Sequence, residues 1–151
     1  MLSNEFEDEY DESASLAKKY ESAREKGEVV FFTEQEYEEI IDYYAFKKEY
    51  EAALSVANEC IKGFKYTDTF HVKKAEIYLD LNQAENALES IETALVFSPN
   101  EISIILLKAD ALLQLSKFKE AINLVENAMH NADKEEKIDL YLELADIYEE
   151  W

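Results

Sequence analysis

The sequence predicts an all-α fold, a right-handed α-solenoid of antiparallel helix pairs, and three observations predict it. Small residues at Ala53, Ala87 and Ala121, each followed by Leu54, Leu88 or Ile122, recur about every 34 residues, the period of a helical repeat array. A second column, Cys60, Ala94 and Ala128, keeps that spacing, and a third, Ile41, Ala75, Ala109 and Ala145, lengthens only at its last step. Composition is the third observation. Two Gly and one Pro among 151 residues, with 48% apolar and 33% charged side chains, leave few turn formers and many helix formers. One elongated domain accommodates this length.

The elements follow in order. Residues 1 to about 13 carry Glu5, Glu7, Asp8, Glu9, Asp11 and Glu12 without a base, the composition of a frayed or disordered acidic tail. Residues 13–26 place Leu16, Tyr20 and Ala23 at helical spacing, and Gly27 is positioned to cap that helix. Val29, Val30, Phe31 and Phe32 form an apolar run too short for a helix, read as an extended connector whose aromatics cover one end of the repeat core. Segment 1–33 is therefore tail, flanking helix and connector, and the array occupies 34–151.

Thr33 with Glu36 opens the array as a capping box. Full helix-turn-helix units are expected at roughly 34–67, 68–101 and 102–137, with a half repeat at 138–151. Lys47-Lys48-Glu49, Asn82-Gln83 and Ser116-Lys117 are the polar turns within the units. Ser98-Pro99-Asn100 separates the second unit from the third, because the residue before Pro resists helix and Pro suits a helix start. The lengthened step falls in the polar stretch 131–137.

The segments AEIYLDLNQAENALESIETALVFSPN and ADALLQLSKFKEAINLVENAM resemble tetratricopeptide (TPR) repeats. The resemblance covers about 34–151 and is strongest in the middle units. There Ala75, Tyr78, Ala84, Ala87, Ala94 and Pro99, then Ala109, Leu112, Phe118, Ala121 and Ala128, fill the family's packing columns. The first unit departs from the pattern with Ile41, Cys60 and Lys65 where the family has a small residue, Ala and Pro. The resemblance implies a non-catalytic protein-interaction scaffold in which the first helix of each unit lines a concave inner face.

On that face one column holds Asp42, Glu76, Asp110 and Asp146, an acid in every unit. Val72, Leu106 and Leu142 flank it on one side, and Ala45, Leu79, Leu113 and Glu149 on the other. An acid ladder between apolar strips suits an extended or helical peptide that offers Lys or Arg at intervals plus apolar anchors. The candidate peptide-binding residues are therefore Asp42, Val72, Glu76, Leu79, Leu106, Asp110, Leu113, Leu142 and Asp146, and the expected partner is a protein or peptide, basic in this reading. In a chain with 35 acids, composition alone also fills such a column, and solubility is the competing explanation. Some members of the family bind acidic chaperone tails through basic and amide residues. Glu38, Asp42, Val72, Ser103 and Leu107 supply no such clamp.

Other classes find little support. A formal charge of −20, from 15 Lys and Arg against 35 Asp and Glu, opposes nucleic acid and anionic membrane surfaces. No apolar run approaches the ~20 residues of a membrane span, and the acidic start lacks the basic and apolar regions of a secretory signal, so the chain reads as cytoplasmic. Cys60 has no disulfide or zinc partner and reads as a small buried apolar group. His71 and His130 stand apart from any catalytic or metal-binding pattern, so no catalytic residue, metal or cofactor is expected. Leu140, Leu144, Ile147, Tyr148 and Trp151 lack a following helix to cover them. The alternative is thus an N-terminal fragment of a longer repeat protein, or a homo-oligomer formed through this uncapped helix, with the partner site elsewhere.

Overall fold

The structure, a computed structural model, describes residues 2–151, and only the backbone of residues 2–9 and 11. All elements among the described residues are helices: α1 (Leu2–Lys26), α2 (Glu34–Phe46), α3 (Tyr50–Gly63), α4 (Thr69–Asp80), α5 (Ala84–Phe97), α6 (Ile102–Gln114), α7 (Phe118–Met129) and α8 (Lys134–Glu150). They pack as sequential pairs. Two compact units result, Met1–Lys65 with α1 to α3 and Tyr66–Trp151 with α4 to α8.

In the first unit α2 lies between α1 and α3. Ala17, Tyr20 and Ala23 of α1, Ile40, Ile41 and Tyr44 of α2, and Ala53, Val56, Ala57 and Cys60 of α3 are buried. Polar ties at the edge of this core fix the register. The Tyr20 hydroxyl donates to Glu59 Oε2 at 2.7 Å and accepts from Arg24 at 3.0 Å, while Arg24 pairs with Glu59 Oε1 at 3.1 Å. The Tyr44 hydroxyl donates to Glu21 at 2.7 Å. Burial first, and the accepting carboxylates second, push both phenols well above the ordinary tyrosine range.

Helix α1 begins at Leu2, well before Ser13, the start expected from helical spacing. Its backbone runs through the stretch read as an acidic tail; the side chains of residues 2–9 and 11 lie outside the described residues. Tyr10 supplies a physical reason. Its ring meets Tyr43 at 5.7 Å and Phe46 at 5.6 Å, which ties α1 to α2 ahead of Ser13. Gly27 ends the helix at φ 65°, and Glu28 N–H donates to the Ala23 carbonyl at 2.9 Å, a left-handed cap. The connector covers the core with only one of its aromatics. Phe32 is buried against Tyr20 and Tyr37, whereas Phe31 is 90% exposed, because successive residues of an extended segment face opposite ways.

In the second unit α4, α6 and α8 form one layer, α6 touching both neighbours, and α5 and α7 form the other. Ala75, Leu79, Ala84, Ala87, Ile91, Ala94, Ile104 and Ala111 make one core cluster, and Ala109, Leu112, Ala121, Ile122, Val125, Ala132, Leu140 and Ile147 the next. Alanines at the helix crossings let the backbones approach closely, while branched side chains fill the volume beside them.

Each turn inside a helix pair is built alike. Lys48, Asn82 and Ser116 adopt φ of 60°, 54° and 57°, and the next residue's N–H returns to the carbonyl of Tyr44, Tyr78 or Leu112, the Schellman arrangement. Lys and Ser pay a steric cost there that glycine avoids. Lys48→Gly and Ser116→Gly are each expected to raise stability by about 1 kcal/mol, and Asn82→Gly by less, since Asn tolerates this region; urea denaturation of the three variants checks the order.

Thr33 forms the capping box expected of it, accepting from Glu36 N–H at 3.1 Å while Glu36 accepts from Thr33 N–H at 2.7 Å. A second one went unread. Asp133 accepts from Glu135 and Glu136 N–H at 2.8 and 3.0 Å, and Glu136 accepts from Asp133 N–H at 2.8 Å. Helix α8 therefore starts at Lys134 rather than 138, and the lengthened loop is correspondingly shorter. Pro99 stands in the turn before α6, whose first residue is Ile102.

Cys60 is a free, buried thiol whose proton is held up to about 12 by burial. The thiolate is the reactive form, so iodoacetamide labelling is expected to be on the order of 10² slower in the folded chain than in urea. Comparable rates in both conditions would contradict the packing of α3.

Candidate peptide-binding face

The layer of α4, α6 and α8 carries a cavity of about 440 Å³. Its lining comes from Glu76, Leu79 and Asp80 on α4, Leu107, Asp110, Leu113 and Gln114 on α6, and Glu150 on α8. Helical periodicity explains the selection: Glu76 and Asp80, like Asp110 and Gln114, are four residues apart and share a face. Gln114 donates its side-chain N–H to the Leu79 carbonyl at 3.1 Å, occupying an acceptor near the end of α4 and pinning α6 to it. Lys73 pairs with Glu76 at 3.6 Å.

The charge on this face is concentrated at its α6/α8 side. Burial, then Asp146 and Glu150, raise the Asp110 carboxyl above its ordinary range. Glu143 on α8 is pushed up to about 7 by burial, then by Asp110, Asp146 and Glu150. Its Oε1 is buried without a hydrogen-bond partner. Acids held above their usual pKa by one another favour an approaching cation, which relieves the repulsion.

The sequence-derived candidates divide. Glu76, Leu79, Asp110 and Leu113 meet in the cavity, and Asp146 is close enough to raise Asp110. Leu79 is also a buried member of the first core cluster, and Leu113, Val72 and Leu106 are half-buried against the clusters; Val72 and Leu106 do not line the cavity. Leu142 is 61% exposed and does not line the cavity. Asp42 is exposed on α2, in the other unit. The cavity also takes Asp80, Gln114 and Glu150, each one helical turn beyond a column member, and Leu107, which lies outside the repeated column.

The uncovered surface of α8 also differs from expectation. Leu140 and Ile147 are fully buried, and Leu144 packs against the core. The exposed stripe is Ile138, Tyr141, Leu142, Tyr148 and Trp151. Ala145 on the same face is exposed although Ala75 and Ala109 of its column are wholly buried. Trp151 nonetheless stacks on Phe118 at 6.3 Å and on Tyr148 at 6.4 Å.

His71 lies in the first turn of α4 and stacks on Phe97 at 6.2 Å, with burial lowering its pKa. Among the described residues no group of three or more His, Cys, Asp and Glu is arranged to hold a metal ion. No described helix is long and apolar enough to cross a membrane.

Sequential helix pairs with buried alanine columns and left-handed turns define a TPR-type fold. Solved TPR domains share it. The second TPR domain of human RPAP3, in complex with the HSP70 peptide SGPTIEEVD, matches with a TM-score of 0.63 at 18% identity, over 74% of this chain and 92% of that one. The Arabidopsis OM64 TPR domain gives 0.60 at 18% identity over 74% and 90%. The first TPR domain of human RPAP3 gives 0.59 at 16% identity over 76% and 94%. No protein-family profile and no curated protein matches the sequence. TPR domains are typically non-catalytic modules of protein–protein interaction.

Proposed function

We propose that the α4/α6/α8 face holds a protein or peptide segment that brings Lys or Arg to Glu76, Asp110 and Asp146 and an apolar side chain to Leu79 and Leu113. The observation that carries this reading is the cavity itself, which gathers four carboxylates, Glu76, Asp80, Asp110 and Glu150, around Leu79, Leu107 and Leu113. The RPAP3 domain is bound to a peptide ending in Glu-Glu-Val-Asp. An acid-lined face calls for the opposite ligand charge. Charge steers the encounter and sets the register, while burial of the apolar anchor supplies most of the affinity. A cytoplasmic, non-enzymatic role belongs to the same proposal.

The test is capture from host lysate with the chain and with a Glu76→Lys/Asp110→Lys variant matched for helicity and melting. The captured partner's binding segment is then titrated as a synthetic peptide. At least tenfold weaker binding by the variant, and weakening of the native complex by salt, are expected. A peptide held equally by both proteins would move the site off this face.

A second reading has one observation in its favour, the exposed α8 stripe beside Ala145. The chain would then be a structural repeat segment whose last helix takes another helix or a second copy. Sedimentation equilibrium tests the second-copy form: a dimer dispersed by Leu142→Glu supports it, and a monomer at high concentration removes it.

A further inference from the structure

Glu143 occupies on α8 the repeat position held by Lys73 on α4 and by Leu107 on α6. Lys73 reaches Glu76, and Leu107 packs against the core cluster around Ala75. Glu39 holds the position on α2, and at its fourth occurrence stands a half-buried carboxyl with Oε1 buried and unpartnered, close enough to Asp110 of α6 for the two to repel. The charges acting on it are Asp110 from α6 and Asp146 and Glu150 from its own helix, all acids; α7, also packed on α8, adds none to them.

We propose that Glu143 is a proton-operated latch, seating α8 on α6 while its carboxyl is neutral and loosening the helix when the carboxyl ionises. The neutral acid leaves only an unmade hydrogen bond in the contact. The anion leaves an unpaired, partly desolvated charge facing three others. Burial and these neighbours place its titration at about 7, so the latch works near neutrality. This inference rests on the α6/α8 packing and not on what the cavity binds.

The chain carries its own reporter. Trp151 is its one tryptophan, and it stacks from the end of α8 onto Phe118 of α7. Its emission, together with hydrogen exchange of α8 amides corrected for intrinsic rates, is followed from about pH 5.5 to about pH 8.5. In the unsubstituted chain α8 protection is expected to fall about tenfold or more through neutrality, with Trp151 emission shifting alongside, while α4 and α5 change little. Glu143→Gln holds α8 at its low-pH protection throughout. Asp110→Asn moves the midpoint to lower pH, because one repelling acid is gone. Glu143→Leu, which copies Leu107, also removes the transition and serves if the glutamine variant fails to fold. Flat α8 protection in the unsubstituted chain, or the same transition in both Glu143 variants, overturns the latch.

Discussion

Replacing Ala87 by Glu is expected to cost the Tyr66–Trp151 unit about 3–5 kcal/mol, the range for an uncompensated buried charge. Ala87 is fully buried in the cluster that joins α5 to α4, among Ala75, Ala84, Ile91 and Ala94. A longer side chain must part the two helices, and its carboxylate would enter an apolar cluster. Against a typical domain stability of about 5–15 kcal/mol that loss is a large fraction of the whole. Ala109→Glu is expected to match it, being equally buried in the next cluster. Ala145→Glu, in the same repeat column as Ala109 but exposed, should stay within about 0.5 kcal/mol. Urea denaturation of the three variants decides. An unchanged midpoint for Ala87→Glu, or equal losses at Ala109 and Ala145, would refute the packing described for this unit.

The contrast between Ala109 and Ala145 shows what a repeat column does and does not specify. The period places both at a helix crossing, yet only a covering helix makes the crossing a core. The same limit explains the candidate face. Glu76, Asp110, Leu79 and Leu113 come together in one cavity because helical periodicity puts them on the same side of α4 and α6. Val72 and Leu106 stand outside that cavity because their packing depends on neighbouring helices. Glu143 stood outside the candidates for a different reason: its column reads Glu39, Lys73, Leu107 and Glu143, so no single chemistry runs through it, and its perturbation arises from burial and from acids that include Asp110 on another helix. The start of α8, by contrast, was written in the sequence as Asp133 and Glu136 and was obscured by the surrounding polar residues.

Stability of the Tyr66–Trp151 unit is expected to fall between about pH 5 and about pH 8.5, by on the order of 1 kcal/mol because solvent screens the half-exposed Glu143 carboxyl. Glu143 titrates at about 7 in the folded chain against an ordinary 4.5, so the folded state binds more protons than the unfolded state across that interval. Its contribution is fully present below 4.5 and is lost as pH rises through about 7. An acid stabilised by an ion pair gives the opposite slope, stability rising with pH, so the sign alone separates the two cases. Glu143→Gln is expected to flatten most of the dependence and to stabilise the unit at the alkaline end; Asp110, also raised, accounts for a smaller remainder. Added salt divides the cause. Repulsion by Asp110, Asp146 and Glu150 is screened by about 0.5 M salt, whereas the cost of desolvating the carboxylate is not. Because burial is the largest single cause, part of the pH slope should survive at high salt. Its disappearance there would make Glu143 a surface charge repelled by its neighbours rather than a buried acid.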